Sequence, residues 1–110
     1  MAYNEELFVK LDTLLNGSKG FTQKKMFGGV GFLLNGNMCV GIYKDFLILR
    51  LGEELGEKAL KKKEVKKFDI TGRPMKGWVM IDSKDLKRED TLKQWVENTI
   101  RFVCTLAPKD

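Results

Sequence analysis

The stretch Lys25-Met26-Phe27-Gly28-Gly29-Val30-Gly31-Phe32-Leu33-Leu34-Asn35-Gly36-Asn37-Met38 decides how this chain folds. Val30, Phe32 and Leu34 alternate with period two, the signature of a half-buried strand. Asn35-Gly36 then supplies two residues that tolerate positive φ, which favours a tight hairpin. Gly28, Gly29 and Gly31 crowd the start of the run. A glycine inside a strand removes a side chain where another backbone comes close or where the strand bulges, so the reading is a bent, closely packed strand. The competing reading is a cradle of glycine N–H groups holding a phosphate ahead of a helix. The run continues into a hairpin instead, and it lacks both the later glycine of the dinucleotide fingerprint and the Gly-Lys-Ser/Thr of a P-loop.

Working outward, period two persists over residues 24–51, with Val40 and Ile42 and then Leu47, Leu49 and Leu51 continuing the apolar face. Three antiparallel strands satisfy it, with Lys44-Asp45 making the second connection. The third strand, Phe46-Leu47-Ile48-Leu49-Arg50-Leu51, is apolar on both faces apart from Arg50, which implies a central position or a subunit contact. Upstream, Asn4 caps a helix whose Leu7, Phe8, Leu11, Leu14 and Leu15 form one stripe, with Tyr3 and Phe8 placed as a hydrophobic staple. That helix is expected to end near Asn16-Gly17. Downstream, residues 53–63 read as a helix, 65–70 as a strand and 77–81 as another, with a turn at Thr71-Gly72-Arg73-Pro74 between the strands. The last helix is the clearest, because Leu92, Trp95, Val96, Thr99, Ile100, Val103 and Leu106 recur at spacings of three and four. Ser83 or Asp85 is the expected cap of a preliminary turn before it, and Pro108 marks the expected end of order at the carboxyl terminus. The predicted order is α-β-β-β-α-β-β-α, an α+β fold in two layers.

A chain of 110 residues with 43% hydrophobic and 32% charged content makes a single globular domain over residues 1–110. No apolar run is long enough to cross a bilayer, and Glu5 and Glu6 stand where a secretory signal would carry basic residues. Cys39 and Cys104, each among apolar neighbours, read as buried free thiols rather than a disulfide or metal pair. These features point to the cytoplasm.

The chain contains no histidine. That removes the Ser-His and Cys-His nucleophiles and the commonest transition-metal ligand. Glu53, Glu54, Asp82, Asp85, Glu89 and Asp90 fall where caps and first-turn charges belong, so no catalytic, metal-binding or cofactor-binding residue is assigned. The net charge of +5 is mild. Lys61-Lys62-Lys63 with Lys66 and Lys67 reads first as a solvated helix end preceded by Glu53, Glu54 and Glu57. The functional reading is a polyanion patch made of Lys24, Lys25, Arg50, Lys61, Lys62, Lys63, Lys66, Lys67 and Arg73. Phe27, Phe32, Tyr43, Phe46 and Trp78 lie on strands beside such cations but carry no RNA-recognition signature, and most read as core.

The Lys25-to-Gly31 run, the later Asn35-Gly36-Asn37-Met38, the Gly72-Arg73-Pro74-Met75 turn before a Trp-containing strand, and the Trp95 helix together resemble the TfoX/Sxy amino-terminal domain family. This bacterial group is named for regulators of natural competence. In this chain Lys25, Met26, Phe27, Gly28, Gly29, Gly31 and Gly36 carry its structural motif. The resemblance extends from about Phe8 to about Ala107. It implies a two-layer α+β fold similar to secretion-chaperone-like domains, with no catalytic residues and no cofactor. The competence regulators themselves have a second, carboxyl-terminal helical domain and act with the cyclic-AMP receptor protein, whereas this sequence stops at Asp110 with no identifiable DNA-reading helix. The expectation is a non-enzymatic cytoplasmic regulatory domain, a homodimer acting through an unknown protein partner. Weak nucleic-acid binding through the basic surface is the alternative.

Overall fold

Six antiparallel strands form one sheet with three helices packed against it, in a computed structural model that describes residues 3–15, 20–26, 29–68 and 76–107. Helix α1 (Glu5–Leu15) starts as predicted: the Leu7 backbone N–H donates to Asn4 Oδ1 at 2.9 Å, and the Tyr3 and Phe8 rings meet across the cap at 5.9 Å. The Asn4 side-chain amide also donates to Asp45 Oδ1, tying the helix start to the hairpin beyond it.

The sheet consists of β1 (Phe21–Met26), β2 (Gly29–Leu34), β3 (Asn37–Tyr43), β4 (Phe46–Arg50), β5 (Val65–Lys67) and β6 (Trp78–Asp82). Their spatial order is β1-β2-β3-β4-β6-β5. Between β4 and β5 runs α2 (Glu53–Ala59); after β6 come a single 3-10 turn (Ser83–Asp85) and α3 (Glu89–Val103). The α+β expectation holds, with one strand more than predicted. Residues 24–51 were expected to give three strands, but β1 is separate from β2 and antiparallel to it, with Met26 opposite Gly29. Its sequence, Phe-Thr-Gln-Lys-Lys-Met, lies at the sheet edge and lacks the apolar alternation that marked its neighbours. The ladder does slip, but between Phe32 and Leu33 opposite β3 rather than at the glycines. Phe27 and Gly28 of the motif lie outside the described residues, as do Asn16-Gly17, the Gly72-Arg73-Pro74-Met75 turn and Pro108.

The hairpin at Asn35-Gly36 has φ of +52° and +83°, the pair of positive values a tight two-residue loop requires. Helix α2 is shorter than the expected 53–63. After Ala59 the hydrogen bonds tighten, Lys61 N–H to Lys58 O and Lys62 N–H to Ala59 O, so the lysines lie in turns beyond it. Asp82, rather than Ser83 or Asp85, caps the 3-10 turn by accepting from the Lys84 backbone N–H.

The main core lies between the helices and one face of the sheet. Leu7, Leu11 and Leu15 of α1, Ala59 of α2, and Leu92, Trp95, Val96 and Val103 of α3 meet Val30, Phe32, Val40, Ile42, Leu47, Leu49, Val79 and Ile81. Burial of these side chains removes roughly 1.5–3 kcal/mol of apolar exposure each, which is what holds the two layers together. A second, smaller cluster sits on the opposite face: Ile48, Met80 and Phe68, flanked by Tyr43, Phe46 and Trp78. Strands β4 and β6 are interior strands with an apolar cluster on each side, which accounts for their two-sided apolar sequences.

Candidate functional site

Directly opposed residues of an antiparallel ladder project to the same face, so the registers can be followed across the whole sheet. One row reads Lys24, Gly31, Gly41, Ile48, Met80, Lys66. It lies on the face away from the helices, with a cation at each end and two glycines side by side within it. Five inter-strand steps of about 4.8 Å put its ends roughly 24 Å apart along the sheet. Tyr43 and Phe46 face each other on one side of this row, and Arg50 and Trp78 on the other.

Cations lie over the rings of this face. The Arg50 guanidinium carbon stands 5.2 Å from the Trp78 ring centre, Lys66 Nζ 5.5 Å from Phe46, and Lys44 Nζ 5.3 Å from Tyr43. Attraction between the charge and the ring quadrupole contributes about 0.5–1 kcal/mol at such exposed sites. Arg50 also points Nη1 towards the Met38 carbonyl at 3.5 Å, and Phe68 and Trp78 stack with centres 5.7 Å apart. The middle of the face is already covered: Ile48, Met80 and Phe68 are only 5%, 7% and 5% exposed. Solvent reaches the half-buried rings of Tyr43, Phe46 and Trp78 with the charged groups over them, and the half-buried Leu33 and Met38 on β2 and β3.

The four ion pairs of the described residues, Lys10–Glu6, Lys58–Glu54, Arg88–Asp90 and Lys93–Glu97, all involve helical residues or the start of α3. Among the described residues, none engages Lys24, Lys44, Arg50 or Lys66. The single acid whose register position falls on this face is Asp82, opposite Phe46, and its carboxylate is engaged at the Lys84 N–H.

The expected polyanion patch is thereby divided. Lys24, Arg50 and Lys66 share the uncovered face. Lys25 and Lys67 lie opposite Val30 and Val79, which turns them to the helix side. Lys61, Lys62 and Lys63 follow α2, and Lys62 Nζ lies over Trp95 of α3, again on the helix side. Arg73 lies outside the described residues. The aromatic residues divide too: Phe32 is core as expected, whereas Tyr43, Phe46 and Trp78 border the open face. Lys44, which the sequence reading did not include, joins them from the β3–β4 hairpin at φ +54°.

Of the motif glycines, Gly29 has the sharpest constraint. A Cβ there falls on the Ile42 carbonyl oxygen of the neighbouring strand. Gly31 continues the row toward Gly41, and Gly36 closes the hairpin. Met26 pairs with Gly29 at the end of β1. The motif thus builds the β1-β2-β3 side of the sheet.

Glu53 and Glu54 open α2, Glu89 and Asp90 open α3, and Asp82 caps, as the sequence predicts. The Asp90 carboxyl is held below its ordinary value chiefly by hydrogen bonds from Arg88, at 3.2 and 3.0 Å. Among the described residues no three His, Cys, Asp or Glu side chains come together as a metal site, and no helix is long and apolar enough to cross a membrane. Cys39 is fully buried and its thiol is pushed up to about 12 by that burial, with the nearby Cys104 raising it further and Arg50 partly offsetting. Cys104 is exposed, a correction to the expectation that both thiols are buried; it follows the end of α3 rather than lying on the helix's apolar stripe. A cleft of about 220 Å³ lies between α1 and α3, lined by Val9, Lys10, Thr13, Leu14, Glu89 and Leu92.

Comparison with protein-family models matches residues 13–103 to the TfoX N-terminal domain. The chain belongs to the TfoX N-terminal domain family. The match takes in every strand and the whole of α2 and α3, so the glycine-rich strand, the open face and the helix layer are all part of the family unit. Comparison with curated proteins and with solved structures found no match.

Proposed function

We infer that this TfoX N-terminal domain is a non-enzymatic cytoplasmic regulatory module that works by binding, with the uncovered sheet face as the surface that meets its partner. The observation that carries this reading is the set of cations laid over half-buried rings on that face, none of them matched to a carboxylate among the described residues. Family membership supports the regulatory role. The absence of histidine from the sequence and the use of the carboxylates as caps favour contact over catalysis.

The test is capture of partners from the native cytoplasm with three baits: the wild-type chain, Phe46→Ala/Trp78→Ala on the open face, and Lys93→Ala on the helix side. Partners retained by the wild type and by Lys93→Ala but lost from the double variant support the reading. Equal retention by all three refutes it. The homodimer expected from the sequence is measured separately by light scattering at high micromolar concentration. A dimer abolished by Phe46→Ala would put the second copy on this face, and a dimer indifferent to that change would put it elsewhere.

A further inference from the structure

Resting on that reading of the face, we propose that its occupant is a single strand of nucleic acid, lying along the row from Lys24 to Lys66 with its phosphates on the cations and its bases on the rings. Three observations choose this occupant over others. Among the described residues, Lys24, Arg50 and Lys66 share one face, with Lys44 beside Tyr43 and Asp82 as the acid whose register position falls there, so a second copy docked about a two-fold axis would press these charges against their own images. A protein interface gains most from an apolar centre that can still be desolvated. Here Ile48, Met80 and Phe68 are already at most 7% exposed, so the apolar centre of the face leaves an acidic polypeptide little to desolvate. The groups within reach of solvent are half-buried rings and the cations lying over them, the pairing of aromatic and basic groups that binds bases and neutralises a backbone.

A duplex fits less well, because base edges are read by a helix or a two-stranded ribbon entering a groove, and the middle of a six-stranded sheet cannot enter one. The paired glycines Gly31 and Gly41 keep the centre of the row low, with Met38 Cε lying beside Gly41. The backbone positions of Lys24 and Lys66 are roughly 24 Å apart, with the Lys66 amine reaching back over Phe46 of β4, a spacing that suits a strand of a few nucleotides crossing the sheet. The row ends in lysine on β1 and on β5, the two edge strands, which gives the strand a place to enter and to leave.

The experiment is fluorescence anisotropy of labelled twelve-nucleotide oligo-dT and oligo-U with the full chain at low salt. Lys24→Gln/Lys66→Gln is expected to weaken binding at least tenfold. It should also flatten the dependence of log K on log salt by about 1.4, since each single-strand phosphate contact contributes about 0.7. Phe46→Ala is expected to weaken binding roughly tenfold through lost stacking. Lys61→Gln/Lys63→Gln, on the helix side, serves as the control and should change affinity less than twofold. Unchanged melting temperatures establish that each variant is folded.

No retention of either oligonucleotide at low salt overturns the proposal, as does loss of binding in the control pair but not in the face variants. Competition by polyglutamate or by duplex DNA as effective as by the unlabelled single strand also overturns it. Failure here with open-face-dependent capture of a protein from the cytoplasm would leave the binding face standing and remove only its occupant.

Discussion

Replacing Gly29 by alanine should loosen the sheet more than any other single-methyl change on the open face. Gly29 has no positive φ, so the backbone there suits an ordinary residue. The obstacle is space: the added Cβ lands on the Ile42 carbonyl oxygen, a backbone atom of β3 that cannot rotate away. Relief requires β2 and β3 to separate at the end of the ladder, where Val30 faces Ile42. Overpacking of this kind costs about 1–3 kcal/mol. Losing one adjoining ladder hydrogen bond adds about 1 kcal/mol, for a total of about 2–4 kcal/mol. Against a typical total of about 5–15 kcal/mol the domain would still fold. At roughly 4 °C per kcal/mol for a domain of this size, the melting temperature should fall by about 8–16 °C.

The matched comparison is Gly41→Ala. A Cβ at Gly41 meets Met38 Cε at 2.6 Å, the free end of a flexible side chain, and the Val30 carbonyl oxygen at a tolerable 3.2 Å. Met38 can swing aside, so the expected loss is below about 1 kcal/mol. Urea midpoints followed by circular dichroism on both variants decide the matter. A Gly29→Ala protein as stable as the wild type, or no less stable than Gly41→Ala, would refute the close-approach explanation of the motif glycine.

Asn4→Ala removes the cap of α1 together with the bonds to Asp45 and Ser83, and should lower stability by about 1–2 kcal/mol in chemical denaturation. Cys39 stays protonated in the fold up to a pH of about 12, whereas the unfolded thiol ionises near about 8.5. Between those values the folded state holds the extra proton, so stability falls as pH rises, by about 1.4 kcal/mol per unit. Wild type should lose about 2 kcal/mol more than Cys39→Ala between pH 8 and pH 10, and equal losses would contradict the burial of this thiol. A thiol reagent at pH 8 should label Cys104 at once and Cys39 only on unfolding. Asp90, with its value lowered by Arg88, favours the fold above the ordinary carboxylate value and loses that contribution as pH falls through the lowered one. Arg88→Gln should therefore move the Asp90 titration upward in an NMR pH series, and an unmoved titration would deny the hydrogen bonds their role.

Local signals made much of this architecture legible. Asn35-Gly36 fixes the β2–β3 hairpin because few other pairs take two positive φ values, and the three-and-four spacing of Leu92, Trp95, Val96, Thr99 and Val103 leaves α3 no other reading. Strand β1 was missed because an edge strand of Thr, Gln and Lys buries too little to show a period. The far end of α2 was overextended because lysines are good helix formers and nothing in Lys61-Lys62-Lys63 signals the turn that tertiary packing imposes. The open face lay further out of reach. Hairpin registers alone place Gly31, Gly41 and Ile48 in one row. Met80 and Lys66 join it only because β6 inserts between β4 and β5, a non-sequential pairing across α2 that no local pattern encodes.

That pairing also alters what the charge of the chain means. A net charge of +5 is unremarkable as a total, and among the described residues Lys10, Lys58, Arg88 and Lys93 are matched to acids on or beside the helices. The fold then gathers Lys24, Lys44, Arg50 and Lys66 where, among the described residues, Asp82 is the acid at a register position of that face and where the neighbouring groups are rings. Like charges held together destabilise a folded domain, and each cation over a ring returns only about 0.5–1 kcal/mol. Solubility alone would be served as well by the same lysines scattered among glutamates on the helices, as on α2. Concentrating them over aromatic residues on the face away from the helices is a local departure from charge balance, and it is this departure on which the proposed binding face rests. The glycine-rich strand contributes by keeping that face low between its charged ends. The close approach that leaves no room for a side chain at Gly29 and the low row at Gly31 and Gly41 are therefore one geometry of β2 and β3.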